Sequence, residues 1–270
     1  TSPHVFRAAR PLGITRDQVG SQQPVLELEQ MALNAAATNL VRDITRWKNS
    51  EHWYRVSRIL WKMGELLYGL PGTGKTSLTR ALAERLDLPV TVFDLASLTN
   101  PELLKAWKSM LEDMPGIALF EDFERIFNGR QNLVSDVSFD CLLGCLSGIE
   151  RADGLLVIMT ANDIVGLDPA LCQVSETGTL SRPGRINRVV EMTPPDQIGR
   201  FTIAGRILAK WPETWDYVVQ QGAGETGAQF EERCTQMALD LYWKESQPPD
   251  GESRGLRRSK ANQAEQDETV

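Results

Sequence analysis

The chain has 270 residues, a formal net charge of -7 and 41% apolar residues, enough for one large domain with a smaller companion. The acidic balance, with Lys and Arg dispersed along the chain, argues against a nucleic-acid footprint, and nucleic acid is not the expected partner. No apolar run reaches the ~18 residues of a membrane span and no charged-then-apolar leader opens the chain, so a cytoplasmic protein without a membrane segment is expected.

Residues 1–34 read as an irregular segment, in which "VLELEQM" could hold a short strand. From Ala35 to Trp47 the spacing is helical, with Leu40, Val41, Ile44 and Trp47 on one face. "SEHWYRV" starts a second helix with Ser50 as its cap. Short apolar runs then alternate with amphipathic stretches. "GELLYG", "PVTVFDL", "GIALFED", "GLLVIMTAND" and "INRVVEM" read as strands. "KTSLTRALAERLDL", "NPELLKAWKSMLEDM" and "SFDCLLGCLSGI" read as helices, the second capped by Asn100 with Pro101 at its first position. This alternation predicts an α/β domain built on a largely parallel, buried sheet. After Pro194 and Pro195, "DQIGRFTIAGRILAKW" and "GAQFEERCTQMALDLYWKE" predict a separate helical unit. The boundaries expected are 35–195 for the α/β domain, 196–245 for the helical one and 246–270 for a disordered tail with almost nothing to bury.

Cys141 and Cys145 lie four apart in an apolar helix, as small core residues of a reducing cytosol would. The only histidines, His4 and His52, lack ligand spacing.

"GLPGTGKTS" fits G-x-x-x-x-G-K-[ST] from Gly69 to Thr76, after an apolar run and before a helix. Gly69, Gly72 and Gly74 let the backbone curl so that successive N–H groups point at phosphate oxygens, and Pro71, Thr73 and Ser77 are assigned to the same nucleotide-binding loop. The helix N-terminus adds partial positive charge. Lys75 suits the β- and γ-phosphates of ATP, and the Thr76 hydroxyl suits Mg²⁺. About 45 residues further on, "IALFED" ends in Glu121 and Asp122, on a strand whose tip would face the phosphates. Glu121 is assigned to the Mg²⁺ shell and Asp122 to the attacking water. Asn162, at the tip of the next strand, can hold that water or the γ-phosphate. Arg182 and Arg185, in "SRPGR", can reach a neighbour's nucleotide and stabilise transition-state charge.

With "GLPGTGKT", "LFED", "TAND", "LDPAL" and "RPGR" in this order, the sequence resembles the AAA family of ATPases from roughly Ala35 to Glu245. Within it, "RDITRWKNSEHWY", the Glu-Asp acid order and "FDCLLGCLSGIERADGLLVIMTAND" are similar to the Bcs-type branch. The resemblance implies a three-layer αβα P-loop NTPase (AAA+) domain with a small C-terminal helical lid. It implies a ring of six or seven copies, ATP between subunits, and Arg182 and Arg185 acting in trans. It also implies that Gly227 and Ala228, opening the last long helix, touch the nucleotide. Three features depart from the pattern: no membrane segment precedes the module in this chain, "LCQVSETGT" is inserted before "SRPGR", and "DLASLTNPELL" lacks the aromatic residue of threading pore loops. The function expected is ATP hydrolysis that remodels or moves a protein client. A DNA-acting loader or helicase accessory, or a slow nucleotide-gated scaffold, are the alternatives.

Overall fold

The computed structural model describes residues 6–8, 26–134, 136–147, 152–171 and 185–246. Its strands are β1 (Phe6–Ala8), β2 (Lys62–Tyr68), β3 (Val90–Phe93), β4 (Gly116–Phe120), β5 (Phe127–Asn128), β6 (Gln131–Asn132), β7 (Leu155–Ala161) and β8 (Arg188–Glu191). Its α-helices are α1 (Ala35–Asn49), α2 (Glu51–Val56), α3 (Lys75–Leu86), α4 (Asn100–Leu111), α5 (Phe123–Ile126), α6 (Phe139–Ser147), α7 (Gln197–Ile207), α8 (Trp215–Gln221) and α9 (Gly227–Ser246).

Six strands form one sheet in the order β1-β3-β4-β7-β2-β8, and every pair in it is parallel. The central strands β4 and β7 are buried along their whole length. They need no polar alternation because both faces of the sheet are covered. Successive residues feed opposite cores. Ala118, Phe120, Val157 and Met159 face α4 and α6, where Phe93, Trp107 and Phe120 stack together. Ile117, Leu119, Leu156 and Ile158 face α1 and α3, with Leu40, Ile44, Trp47, Leu78 and Leu82. A third apolar cluster lies among the C-terminal helices, around Ile203, Leu208, Val218, Phe230 and Cys234.

Local chemistry fixes the element ends. Asn34 caps α1 by accepting from the Ala37 N–H at 2.8 Å, and its amide nitrogen donates to the Glu191 carbonyl at the end of β8. Such a cap contributes about 1 kcal/mol, and here it also ties the helix to the sheet edge.

Several expectations are corrected. Within the segment read as irregular, Phe6–Ala8 forms a strand pairing with β3, and Leu28–Gln30 within "VLELEQM" is a 3-10 turn rather than a strand. Ser50 does not cap α2; its hydroxyl donates to the Arg46 carbonyl of the preceding helix. Thr99, not Asn100, caps α4, through a reciprocal box with Glu102 that satisfies two backbone or hydroxyl donors at once. Asn100 instead accepts from the Ser138 N–H. Val41 is only partly buried, whereas Leu40, Ile44 and Trp47 form the buried stripe of α1. Helix α8 and the β5–β6 hairpin were not foreseen. Cys145 and Cys234 are buried, Cys141 is half-buried, and none of the three is in a disulfide. Cys172, and the tail apart from Ser246, lie outside the described residues. Among the described residues no helix is long and apolar enough to cross a membrane.

Candidate active site

Adjacent strands β4, β7 and β2 carry their candidate residues at the same, C-terminal edge of the sheet, where open α/β sheets place ligands. The loop after β2 begins at Gly69 with φ 144°, a conformation open to glycine, and a Cβ there would lie 2.2 Å from the Met192 carbonyl oxygen. Pro71 and Gly72 follow; Thr73 closes the turn by donating from its hydroxyl to the Leu70 carbonyl at 2.9 Å. Gly74 takes the N-cap position of α3, which starts at Lys75, so Thr76 and Ser77 occupy the helix's first turn.

Lys75 is buried, and its ammonium is held by three oxygens: the carbonyls of Gly69 at 2.7 Å and Leu70 at 3.2 Å, and the Asn162 Oδ1 at 3.1 Å. Burial pushes its pKa below the usual lysine value, against the opposing pull of the Asp122 and Glu124 carboxylates. Beside it the Thr76 hydroxyl donates to Glu121 Oε1 at 2.6 Å. These two hard oxygen donors fit Mg²⁺, which keeps water and phosphate oxygens in its shell rather than demanding an all-protein cage. Among the described residues no group of three or more His, Cys, Asp or Glu gathers into a metal cluster.

Asp122 follows at φ 48°, a left-handed conformation that Asp tolerates better than most residues. Its N–H donates to the hydroxyl of Thr160, buried in β7, and its carboxylate pairs with Arg125 at 3.2 Å. Asn162 donates from Nδ2 to Glu124 Oε1 at 2.7 Å, so it bridges Lys75 and Glu124. Neither Glu124 nor Thr160 was picked out from sequence. The signals available were a third acid in "EDFE" and a lone hydroxyl in the apolar run "LLVIMTA".

At the start of α9, the Ala228 N–H donates to the Gly72 carbonyl at 2.9 Å. A Cβ built on Gly227 would come within 3.3 Å of that same oxygen, so both residues lie against the phosphate loop. Arg185 is held within its own chain, donating to the Ser147 hydroxyl and the Ala170 carbonyl. Arg182 lies outside the described residues.

A parallel sheet, covered on both faces, with a glycine loop running from its strand β2 into α3, defines a P-loop nucleotide-binding domain. Residues 65–181 match the model of the ATPase family associated with various cellular activities (AAA), and the chain carries an AAA ATPase domain. The chain is 34% identical over 187 residues to a Schizosaccharomyces pombe protein named "Probable mitochondrial chaperone bcs1", covering 66% of this chain and 37% of that one. It is 31% identical over 192 residues to the mitochondrial chaperone BCS1 of Danio rerio, covering 66% of this chain and 41% of the relative. It is 29% identical over 190 residues to a cell division cycle protein 48 homolog of Archaeoglobus fulgidus, covering 65% and 25%. The BCS1 similarities support the Bcs-type branch of the family. The chain spans well under half the length of each of these relatives.

Proposed function

We propose that the chain is the ATP-hydrolysing module of a ring assembly that remodels or moves a protein client. The observation that carries this reading is the convergence of Lys75, the Thr76–Glu121 pair and Asn162 at the tips of three neighbouring strands.

In this reading the loop amides of Gly69, Gly72, Thr73, Gly74 and Ser77, on a backbone that Pro71 stiffens, hold the phosphates with Lys75. Lys75 exchanges one or more of its present oxygen partners for phosphate oxygens. Thr76 and Glu121 hold Mg²⁺, which when bound neutralises developing phosphate charge. Asp122 orients the attacking water and accepts its proton, and Asn162 contacts the γ-phosphate. Gly227 and Ala228 bring α9 onto the nucleotide, so that a helical lid over 196–245 follows the state of the 35–195 domain through the Ala228–Gly72 hydrogen bond. Six or seven copies would close the ring, with Arg182 and Arg185 serving a neighbour's site, Arg185 once it exchanges its bonds to the Ser147 hydroxyl and the Ala170 carbonyl for that contact.

Residues 94–99 between β3 and α4 contain no aromatic side chain, and Trp107 is buried in the core. Remodelling is therefore proposed without an aromatic grip on a threaded chain. Cys141, Cys145 and Cys234 as unoxidised thiols fit a reducing compartment such as the cytoplasm.

Single-turnover hydrolysis with excess protein tests the enzyme reading. Wild type should release phosphate at least ~10²-fold faster than Asp122→Asn, the usual scale for loss of a general base. Equal rates would overturn it. An ATP-loaded Asp122→Asn chain should also retain a protein client on pull-down that wild type releases.

A further inference from the structure

Glu124 is half-buried, but one of its carboxylate oxygens is among the few buried side-chain polar atoms that lack a partner among the described residues. One carboxylate oxygen accepts from Asn162, and the other, Oε2, is buried with no hydrogen-bond partner among the described residues. Its backbone is rigidly placed, because α5 is a single turn anchored by buried Phe123 and Ile126 on either side of it. A carboxylate so placed beside the nucleotide loop is unexplained by packing.

The chemistry of its neighbours fixes what it does. Lys75 can only donate and an ionised Glu124 can only accept. The Asn162 amide between them is therefore satisfied in one orientation alone, oxygen toward Lys75 and nitrogen toward Glu124. Turned over, it would set NH₂ against ammonium and oxygen against carboxylate. A γ-phosphate also only accepts, so contact with it needs an N–H of Asn162. With one N–H spent on Glu124, a single donor remains to be aimed.

We infer that Glu124 is a positioning residue that locks the Asn162 amide and so presents one N–H to the γ-phosphate. This rests on the ATPase reading above. The lock discriminates ATP from ADP and acts on the chemical step more than on ATP affinity, which the phosphate loop supplies.

The test uses the full chain with Glu124→Ala, Glu124→Gln, Asn162→Ala and the double variant Glu124→Ala/Asn162→Ala. Two readouts are taken: kcat, and the ratio of Kd for ADP to Kd for a non-hydrolysable ATP analogue. Glu124→Ala should lower both kcat and that ratio by about 10-fold, roughly the scale of one lost hydrogen bond to a charged group, with KM changed less than about 3-fold. Glu124→Gln keeps an acceptor for the Asn162 N–H and should restore most of both. Adding Glu124→Ala to Asn162→Ala should change nothing further, because the two act as one unit. Additive losses, or a Glu124→Gln variant as impaired as Glu124→Ala, would overturn the inference. If wild type binds ATP but does not hydrolyse it, the ATPase reading fails, and the Kd ratios still decide the role of Glu124.

Discussion

Asp122 sits one methylene further from any water than a glutamate would, on a backbone already turned to φ 48°. That turn is stabilised from behind by the Thr160 hydroxyl accepting its N–H, so the short side chain starts from a fixed point. Its pairing with Arg125 is largely solvent-exposed and contributes little stability, so the carboxylate can leave it at small cost. Asp122→Asn keeps the shape and removes the proton acceptor. It should lower kcat by about 10²-fold or more while leaving ATP affinity within about 3-fold. Lys75→Ala, by contrast, removes a charge buried among three oxygens and should abolish tight binding. Isothermal titration with a non-hydrolysable analogue separates the two, and equal loss of binding in both would show that Asp122 has been given the wrong role.

At the level of elements, β2 and β8 meet through a close contact that only glycine allows. Gly64 donates to Asn187 Oδ1 at 2.6 Å, and a Cβ on it would lie 1.9 Å from the backbone oxygen of Arg185. Gly64→Ala should therefore push the Arg185–Asn187 stretch off the sheet and cost about 1–3 kcal/mol of stability. Gly144, in the middle of α6, has nothing within 4 Å of its would-be Cβ, so Gly144→Ala should stabilise by about 0.5–1 kcal/mol. Urea unfolding of the pair checks both signs. The same contrast explains what the sequence discloses. The five strands read from sequence, and the three helices between them, are legible because long apolar periodicities dominate there. Short elements held by tertiary contact are not: β1 depends on an edge partner more than eighty residues away, and the β5–β6 hairpin is two residues a side. The caps of α2 and α4 slipped by a residue or lost their bond because competing carbonyls and Glu102 were in reach. The phosphate loop is legible as a contiguous motif. The Asn162–Glu124 bridge joins residues 38 apart and became visible only when β4 and β7 were paired.

For the molecule as a whole, one buried acid should set the pH dependence of stability near neutrality. Glu65 on β2 is fully buried; among the described residues its carboxylate oxygens lack hydrogen-bond partners, and its nearest charge is Arg188 at 3.4 Å. Arg188 is itself shared with Asp43 on α1 at 2.8 Å, so the neutralisation of Glu65 is incomplete. Burial raises its pKa from 4.5 to about 7, with Arg188 pulling down and Asp43 pushing up. The folded state thus holds a proton that the unfolded chain releases. The resulting stabilisation is fully present below about pH 4.5 and is lost as pH rises through about 7. Two other shifted groups stay out of this window. Asp43 is lowered from 3.8 by its hydrogen bond to Arg188 and changes only in stronger acid. Lys62 is lowered by burial to about 8, so its contribution returns only above that pH. Between pH 5 and 7, stability should therefore fall with a slope approaching about 1.4 kcal/mol per pH unit at its steepest. Glu65→Gln removes the titrating proton while keeping the side chain's shape, and should flatten that slope whatever it does to absolute stability. Urea midpoints taken between pH 5 and 7 measure it; an unchanged slope in the variant would place the titrating group elsewhere.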